Sequence, residues 1–194
     1  MKQITDRDIA ALLNPRPVAL ITCCDEQGKP NVLTVTWTMP VSHRPPMIAI
    51  SVGTRRYSHQ LIQATGEFVV NIVGQNFQSA IEICGNSSGA VCDKFLRAGL
   101  HTVNSRTMRP PRIAGALGYL ECCVASSQEV GDHTLFVATV EVAEASEKAF
   151  TGVWETYAGD VLLCRQRELF GMCHPSEESL EQRRRAQNFG QRVD

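Results

Sequence analysis

A hairpin pattern near the N-terminus most constrains the fold of this chain. Segment 31–38 places Leu33, Val35 and Trp37 on one face and mostly threonine on the other. This period of two is typical of a β-strand. An apolar run at 17–24 precedes it, across a polar turn at 25–30. The two strands are therefore predicted to pair as an antiparallel hairpin.

The rest of the chain continues with strands and short helices, without the regular strand–helix alternation of a parallel α/β sheet. Ser58 is expected to cap the first helix at its N-terminus and Gly66 at its C-terminus. This pattern predicts a mainly β fold, an antiparallel β-barrel with short helices, in one domain over 1–175 with a polar C-terminal helix or tail at 176–194. Further strands are predicted at 47–52, 67–73, 118–128, 134–143 and 161–165, helices at 59–65 and 77–83, and irregular chain at 85–116.

Charge and composition exclude several classes of function. The 19 basic and 20 acidic residues leave a net charge of −1, which argues against a nucleic-acid partner. Apolar runs stay well short of the roughly 20 residues that span a bilayer, and the polar N-terminus lacks a secretory signal. We therefore expect a cytoplasmic protein with no membrane partner.

The eight cysteines do not indicate a metal site. None forms a Cys-x-x-Cys pair, and the adjacent pairs Cys23–Cys24 and Cys122–Cys123 would point to opposite faces of a strand. Most are interpreted as small buried apolar residues in a reducing compartment.

Three loops are candidates for chemistry. Loop 51–58 joins a strand to a helix, so its free amides, with Arg55 or Arg56, suit a phosphate. Loop 84–95 is rich in glycine and serine and precedes one helical turn. Segment 131–134 places His133 at a hairpin turn. Each loop also has a purely structural explanation: a capped helix with solvated arginines, a flexible connection, and an ordinary turn.

Several short motifs occur along the chain in one order, and together they are more specific than any single loop. Asn-Pro-Arg-Pro-Val-Ala-Leu-Ile-Thr at 14–22 and Gly-Asp-His-Thr at 131–134 resemble the flavin reductase-like family of FMN-binding split barrels. Segments 31–34, 50–53 and 66–71 carry the same resemblance, which runs over residues 9–172. The spacing of Cys84-Gly85, Ser88-Gly89, Asp93-Lys94-Phe95 and Gly99-Leu100 resembles the flavoredoxin-like branch of that family.

The resemblance implies a Greek-key antiparallel split barrel that forms a homodimer, with FMN near the dimer interface. It implies no catalytic side chain beyond the flavin itself. It places four groups of residues around the cofactor: Asn31, Thr34, Thr36 and Trp37 along the flavin; Ser51, Val52, Arg56 and Ser58 around the ribityl phosphate; Ser88 and Lys94 on the long loop; and His133 on the hairpin. Phe170 would close over the ring.

The leading functional hypothesis is a flavoredoxin-type protein that carries electrons between redox partners through a tightly bound FMN. The first alternative is an NAD(P)H:flavin oxidoreductase that supplies reduced flavin. The second is a non-catalytic flavin or redox sensor that uses Cys84 and Cys92. The sequence leaves the electron donor and acceptor open, either NAD(P)H or a redox protein.

Overall fold

The computed structural model describes residues 1, 3–154, 161–165 and 168–171. Within these residues the chain is dominated by antiparallel strands, which confirms the mainly β prediction. The predicted tail at 176–194 lies outside the described residues. The strands are β1 (Arg16–Pro17), β2 (Ala19–Cys24), β3 (Pro30–Val35), β4 (Thr38–His43), β5 (Pro46–Gly53), β6 (Glu67–Ile72), β7 (Thr102–Val103), β8 (Arg112–Ile113), β9 (Gly118–Val130), β10 (His133–Ala145), β11 (Leu162–Arg165) and β12 (Glu168–Gly171).

In the part of the chain that the structure describes, three α-helices connect the strands: α1 (Tyr57–Thr65), α2 (Gln78–Asn86) and α3 (Lys94–Ala98). In addition, 3₁₀ helices occupy Asp6–Leu13 and Gln75–Phe77. None of the helices in the described ranges is long and apolar enough to cross a membrane.

The caps of α1 correct one prediction and confirm another. The N-cap is Arg56, so the prediction that Ser58 caps this helix is wrong. Ser58 is the second residue of the helix, where it is buried and its hydroxyl accepts a hydrogen bond from Asn31 Nδ2 at 2.7 Å. Gly66 ends the helix as predicted, with a φ of 70° and its N–H donated to Ile62 O.

The large sheet contains seven strands in the order β3-β2-β6-β9-β10-β5-β4, all paired antiparallel. Its two edge strands, β3 and β4, are consecutive in the chain and are separated only by Thr36 and Trp37. A two-residue connection between opposite edges requires the sheet to curl until they meet. There the Ser51 N–H donates to the Trp37 carbonyl at 2.9 Å. The predicted strand at 31–38 therefore breaks at Thr36, and β4 was not predicted.

Two hydrophobic clusters pack on the two faces of β2 and β3. Inside the barrel, Ile21 and Leu33 pack with Phe68 and Phe136. Outside, the second cluster buries the opposite faces of these strands beneath α2, α3 and β11. Every residue of β2 is consequently buried, which explains its continuous apolar sequence. A smaller sheet, β1-β11-β12, brings the N-terminal segment beside the later strands.

The segment predicted as irregular, 85–116, contains α3 and the short pair β7–β8. A buried carboxylate fixes it to the barrel. Glu121 accepts hydrogen bonds from the backbone N–H groups of Arg106 and Thr107 and from the Arg112 guanidinium. Burial would raise the pKa of Glu121, but these hydrogen bonds outweigh it and hold the pKa below its ordinary value. Arg112 also pairs with Glu144 at 2.9 Å.

Candidate functional site

A cleft opens where the two edges of the large sheet meet, and we call it the seam cleft. Its first arm follows the end of β3 and faces the start of β10. Residues 33–37 and 51–53 form its walls, with Arg56 and His133. The seam therefore brings together two segments that the sequence analysis selected separately.

The second arm of the seam cleft runs between the start of α1 and the end of α2. Residues 55–58 line one side, and residues 84–85, 87–89 and 94 line the other. Leu33, Thr34 and Arg56 belong to both arms, so the cleft is continuous. The first N–H groups of α1 have no partner within the helix and carry the positive end of its dipole.

Most of the predicted site residues lie together on this cleft. The ten that line it are Thr34, Thr36, Trp37, Ser51, Val52, Arg56, Ser58, Ser88, Lys94 and His133. Asn31 lines a neighbouring cavity on the other side of the 89–94 loop. Phe170 belongs to β12, where its backbone pairs with Leu163, but its side chain lies outside the described part. Contact of these twelve residues with a flavin stays a prediction.

Lys94 is buried at the base of the second arm. Its Nζ donates to the carbonyls of Val32 in β3 and Cys84 in α2, each at 2.9 Å. Burial lowers the pKa of this ammonium. Asp93 fixes the next turn because its carboxylate accepts the Leu96 N–H as the N-cap of α3. The ammonium thus ties the wall formed by residues 84–89 to the barrel.

Asn31 and Gly89 meet closely at the same wall. A Cβ on Gly89 would overlap the Asn31 carboxamide, with the Asn31 Cγ only 2.7 Å away. Only glycine allows this approach without displacement. Asn31 therefore holds Ser58 on one side and accommodates the 88–89 backbone on the other.

Two stacked rings form the opposite end of the cleft. The centroids of Trp37 and His133 are 4.7 Å apart, and their planes differ by 25°. His133 Nδ1 lies 2.6 Å from the Asp132 carboxylate, and this hydrogen bond lowers the pKa of Asp132. Trp37 is 40% exposed, so it is not a core residue despite its place in an alternating strand.

Among the cysteines in the described residues, Cys23, Cys24, Cys84, Cys92, Cys122 and Cys123 are free thiols. Burial raises the pKa of Cys84 to about 11 and that of Cys23 to about 12. A thiol with such a pKa stays protonated at neutral pH and is a poor nucleophile. Within the described ranges, no group of three His, Cys, Asp or Glu side chains could hold a metal ion.

Comparison with known proteins identifies the family. The family model described as "Flavin reductase like domain" matches residues 12–168. The chain belongs to this family. It is thus a flavin reductase-like protein of a flavin-binding family, as its motifs indicated.

The family relatives include an archaeal protein and two solved structures. An uncharacterized protein of Archaeoglobus fulgidus is 38% identical over 112 residues, which is 58% of this chain and 63% of the relative. The chain thus spans less than two thirds of that relative. The flavoredoxin of Methanosarcina acetivorans has a TM-score of 0.80 at 23% identity, covering 93% of this chain and 96% of that one.

The second structure is the NADH:FAD oxidoreductase of Streptomyces globisporus. It has a TM-score of 0.75 at 23% identity, and the match covers 90% of this chain and 99% of that chain. At these identities the structures show a shared fold with this chain. A putative flavin reductase with a split barrel domain from Shewanella frigidimarina, with a TM-score of 0.78 at 15% identity over 90% of this chain and 92% of that one, identifies the fold as a split barrel. The predicted fold is confirmed.

The seam cleft of this flavin reductase-like protein has two chemically distinct ends. One end offers serine hydroxyls, two guanidinium groups and the start of α1, which suit a phosphate. The other end offers the indole of Trp37 and the aliphatic side chains of Val35 and Val52, which suit a flat ring. This donor set fits a flavin nucleotide.

Sequence analysis missed several lining residues. Tyr57, Ser87 and Gly89 lie on the second arm and were not selected. Their proximity to selected neighbours was the available signal, because each adjoins a predicted contact in the chain. The sequence alone also does not show that the ammonium of Lys94 donates hydrogen bonds to backbone carbonyls.

Proposed function

We propose that this protein binds FMN in the seam cleft and carries electrons between redox partners while retaining the cofactor, as a flavoredoxin-type flavoprotein. The observation that carries the proposal is the anchored wall of the second arm. Lys94 holds residues 84–89 to the barrel through two hydrogen bonds. A wall fixed in this way favours retention over repeated exchange of the cofactor.

The polar end of the cleft would hold the FMN phosphate. Arg55 and Arg56 supply positive charge, and Ser58 and Ser88 lie on opposite walls of the same arm. Bidentate guanidinium contacts and helix N-termini are common phosphate ligands in proteins.

The aromatic end would orient the ring. A bound flavin supplies the electron-transfer chemistry, and the protein supplies binding, orientation and electrostatics. Trp37 offers a flat apolar surface, and Asp132 fixes the orientation of the His133 ring beside it. Thr36 and Ser51 add hydroxyls where the sheet edges meet.

The proposal includes a homodimer in the cytoplasm that exchanges electrons with NAD(P)H or a redox protein. Residues 1–175 would form its FMN-binding domain. The free thiols of Cys23, Cys24, Cys84, Cys92, Cys122 and Cys123 are typical of a reducing compartment, which supports this location. Burial raises the pKa of Cys84 to about 11, which argues against a role for this thiol in a redox sensor.

Purification tests the cofactor directly. We expect a yellow protein that keeps one flavin per chain through dialysis, and mass spectrometry of the released cofactor should give FMN. Arg56→Met should weaken FMN binding at least tenfold by titration of the apoprotein, because a phosphate contact is lost. Arg44→Met is the matched control, since Arg44 is exposed outside the cleft. Equal affinities for both variants would contradict the placement of the phosphate.

A second measurement separates the carrier from the reductase. A carrier should oxidise NADH, or a reduced ferredoxin, with its own bound FMN. The rate of this oxidation should not rise when free flavin is added. Loss of the cofactor on dialysis, followed by NADH oxidation that rises with added flavin, would instead establish the NAD(P)H:flavin oxidoreductase.

A further inference from the structure

An arginine stands beside Trp37 at the aromatic end of the seam cleft. Arg16 lies in β1, where its backbone pairs with Cys164 of β11. Its guanidinium carbon is 5.7 Å from the centroid of the Trp37 ring, within the range of a cation–π contact. The small sheet thus places a permanent positive charge against an aromatic residue of the cleft.

The charge of Arg16 has no counter-ion among the described residues. None of the ion pairs between them includes Arg16, and its Nε is buried without a hydrogen-bond partner. Arg112 shows the contrast, since it is buried but paired with Glu121 and Glu144. A buried guanidinium N–H without an acceptor destabilises a fold, so stability does not explain this arrangement.

We propose that Arg16 is a positioning residue that supports the indole of Trp37 and, through its uncompensated charge, raises the reduction potential of the flavin in the seam cleft. This inference rests on the proposed FMN binding. Two electrons and one proton add one negative charge to a flavin ring. A cation already fixed nearby stabilises that charge without reorganisation, and none of the carboxylates that the structure describes pairs with it.

The test compares reduction potentials of the FMN-loaded protein. Arg16→Met removes the charge, Arg16→Lys keeps it, and Arg44→Met is the exposed control. Potentials are read at pH 7 by equilibration with a reference dye during dithionite reduction. We expect Arg16→Met to lower the affinity for reduced over oxidised FMN about tenfold, which is a fall of about 30 mV for a two-electron couple. Arg16→Lys should keep the reduction potential close to that of the wild type, and Arg44→Met should leave the potential unchanged.

Urea unfolding of the apoproteins separates this role from a structural one. Apo Arg16→Met should be at least as stable as the wild type, because an unpaired buried donor is removed. An unchanged potential in Arg16→Met would overturn the proposal, as would an equal loss of affinity for both redox states. If Arg16→Met does not fold, Arg16→Gln provides the same comparison. Failure of the proposed function is distinct, since the wild type itself would then not bind FMN.

Discussion

Replacing Lys94 by methionine tests the anchor of the cleft wall. Methionine keeps the length of the side chain but removes both hydrogen bonds from Nζ, to Val32 O and Cys84 O. Bonds from a charged donor contribute about 1.5–3 kcal/mol each, so the gross loss is roughly 3–6 kcal/mol. Lys94 is only 5% exposed, and its lowered pKa reflects the cost of burying the ammonium. Removing that cost offsets part of the loss, so we expect the free energy of unfolding to fall by about 2–3 kcal/mol.

The assay is urea unfolding of apo Lys94→Met, paired with FMN retention after dialysis. Lys29→Met is the matched control, because Lys29 is exposed beside the same loop and should unfold as the wild type does. We expect Lys94→Met to lose stability and FMN together, since the wall at 84–89 loses its link to β3. Wild-type stability in Lys94→Met would refute the anchor. A destabilised variant that keeps its FMN would refute the link between the anchor and retention.

Three further perturbations probe other parts of the fold. Gly89→Ala should weaken FMN binding at least tenfold in a titration, because the new Cβ would overlap the Asn31 carboxamide. Gly85→Ala is the control and should change the affinity for FMN little, because its Cβ makes only ordinary contacts from 3.6 Å. Glu121→Gln should lower the free energy of unfolding in urea by about 3–5 kcal/mol, because it breaks a buried ion pair, and wild-type stability would contradict that role. Burial raises the pKa of Cys23 to about 12 and Cys84 to about 11, from the ordinary 9.0, so the unfolded chain releases these protons first as pH rises. Stability should therefore be intact below pH 9 and fall by about 2 kcal/mol per thiol at pH 10.5, and urea midpoints that stay constant would contradict this.

The strands and the barrel could be predicted because alternation and burial are local properties of the sequence. The predicted strand at 31–38 failed at Thr36 for a reason that is not local. Its alternating pattern continues into β4, but the chain must cross there between opposite edges of a curled sheet. The alternating pattern does not reveal this crossing, because the residues before it and after it both belong to strands.

The candidate site was predictable in its residue types but not in their individual contacts. Ser58 follows two arginines before a helical pattern, which is typical of an N-cap, yet its hydroxyl binds Asn31 of β3. Lys94 precedes a helical turn, which favours an exposed cation, yet it is buried under α2 and β3. Both contacts join segments far apart in the chain, so they depend on packing that the sequence does not display.

The topology itself explains why a cofactor would bind at the seam. Edge strands carry unpaired backbone groups, and a barrel satisfies them only where its edges meet in register. Here β3 ends at Val35, while the hydrogen bond from Ser51 to Trp37 continues the pairing of β4 with β5 by one residue. Thr34 and Thr36 line the gap between the two edges, and the Thr34 hydroxyl donates a hydrogen bond to Ile81 O of α2 at 2.7 Å. A ligand with a flat ring and a polar tail can occupy that gap without breaking any strand pairing. The fold thus fixes the location of the seam cleft, and Arg56 and Trp37 supply the chemistry that our proposal assigns to its two ends.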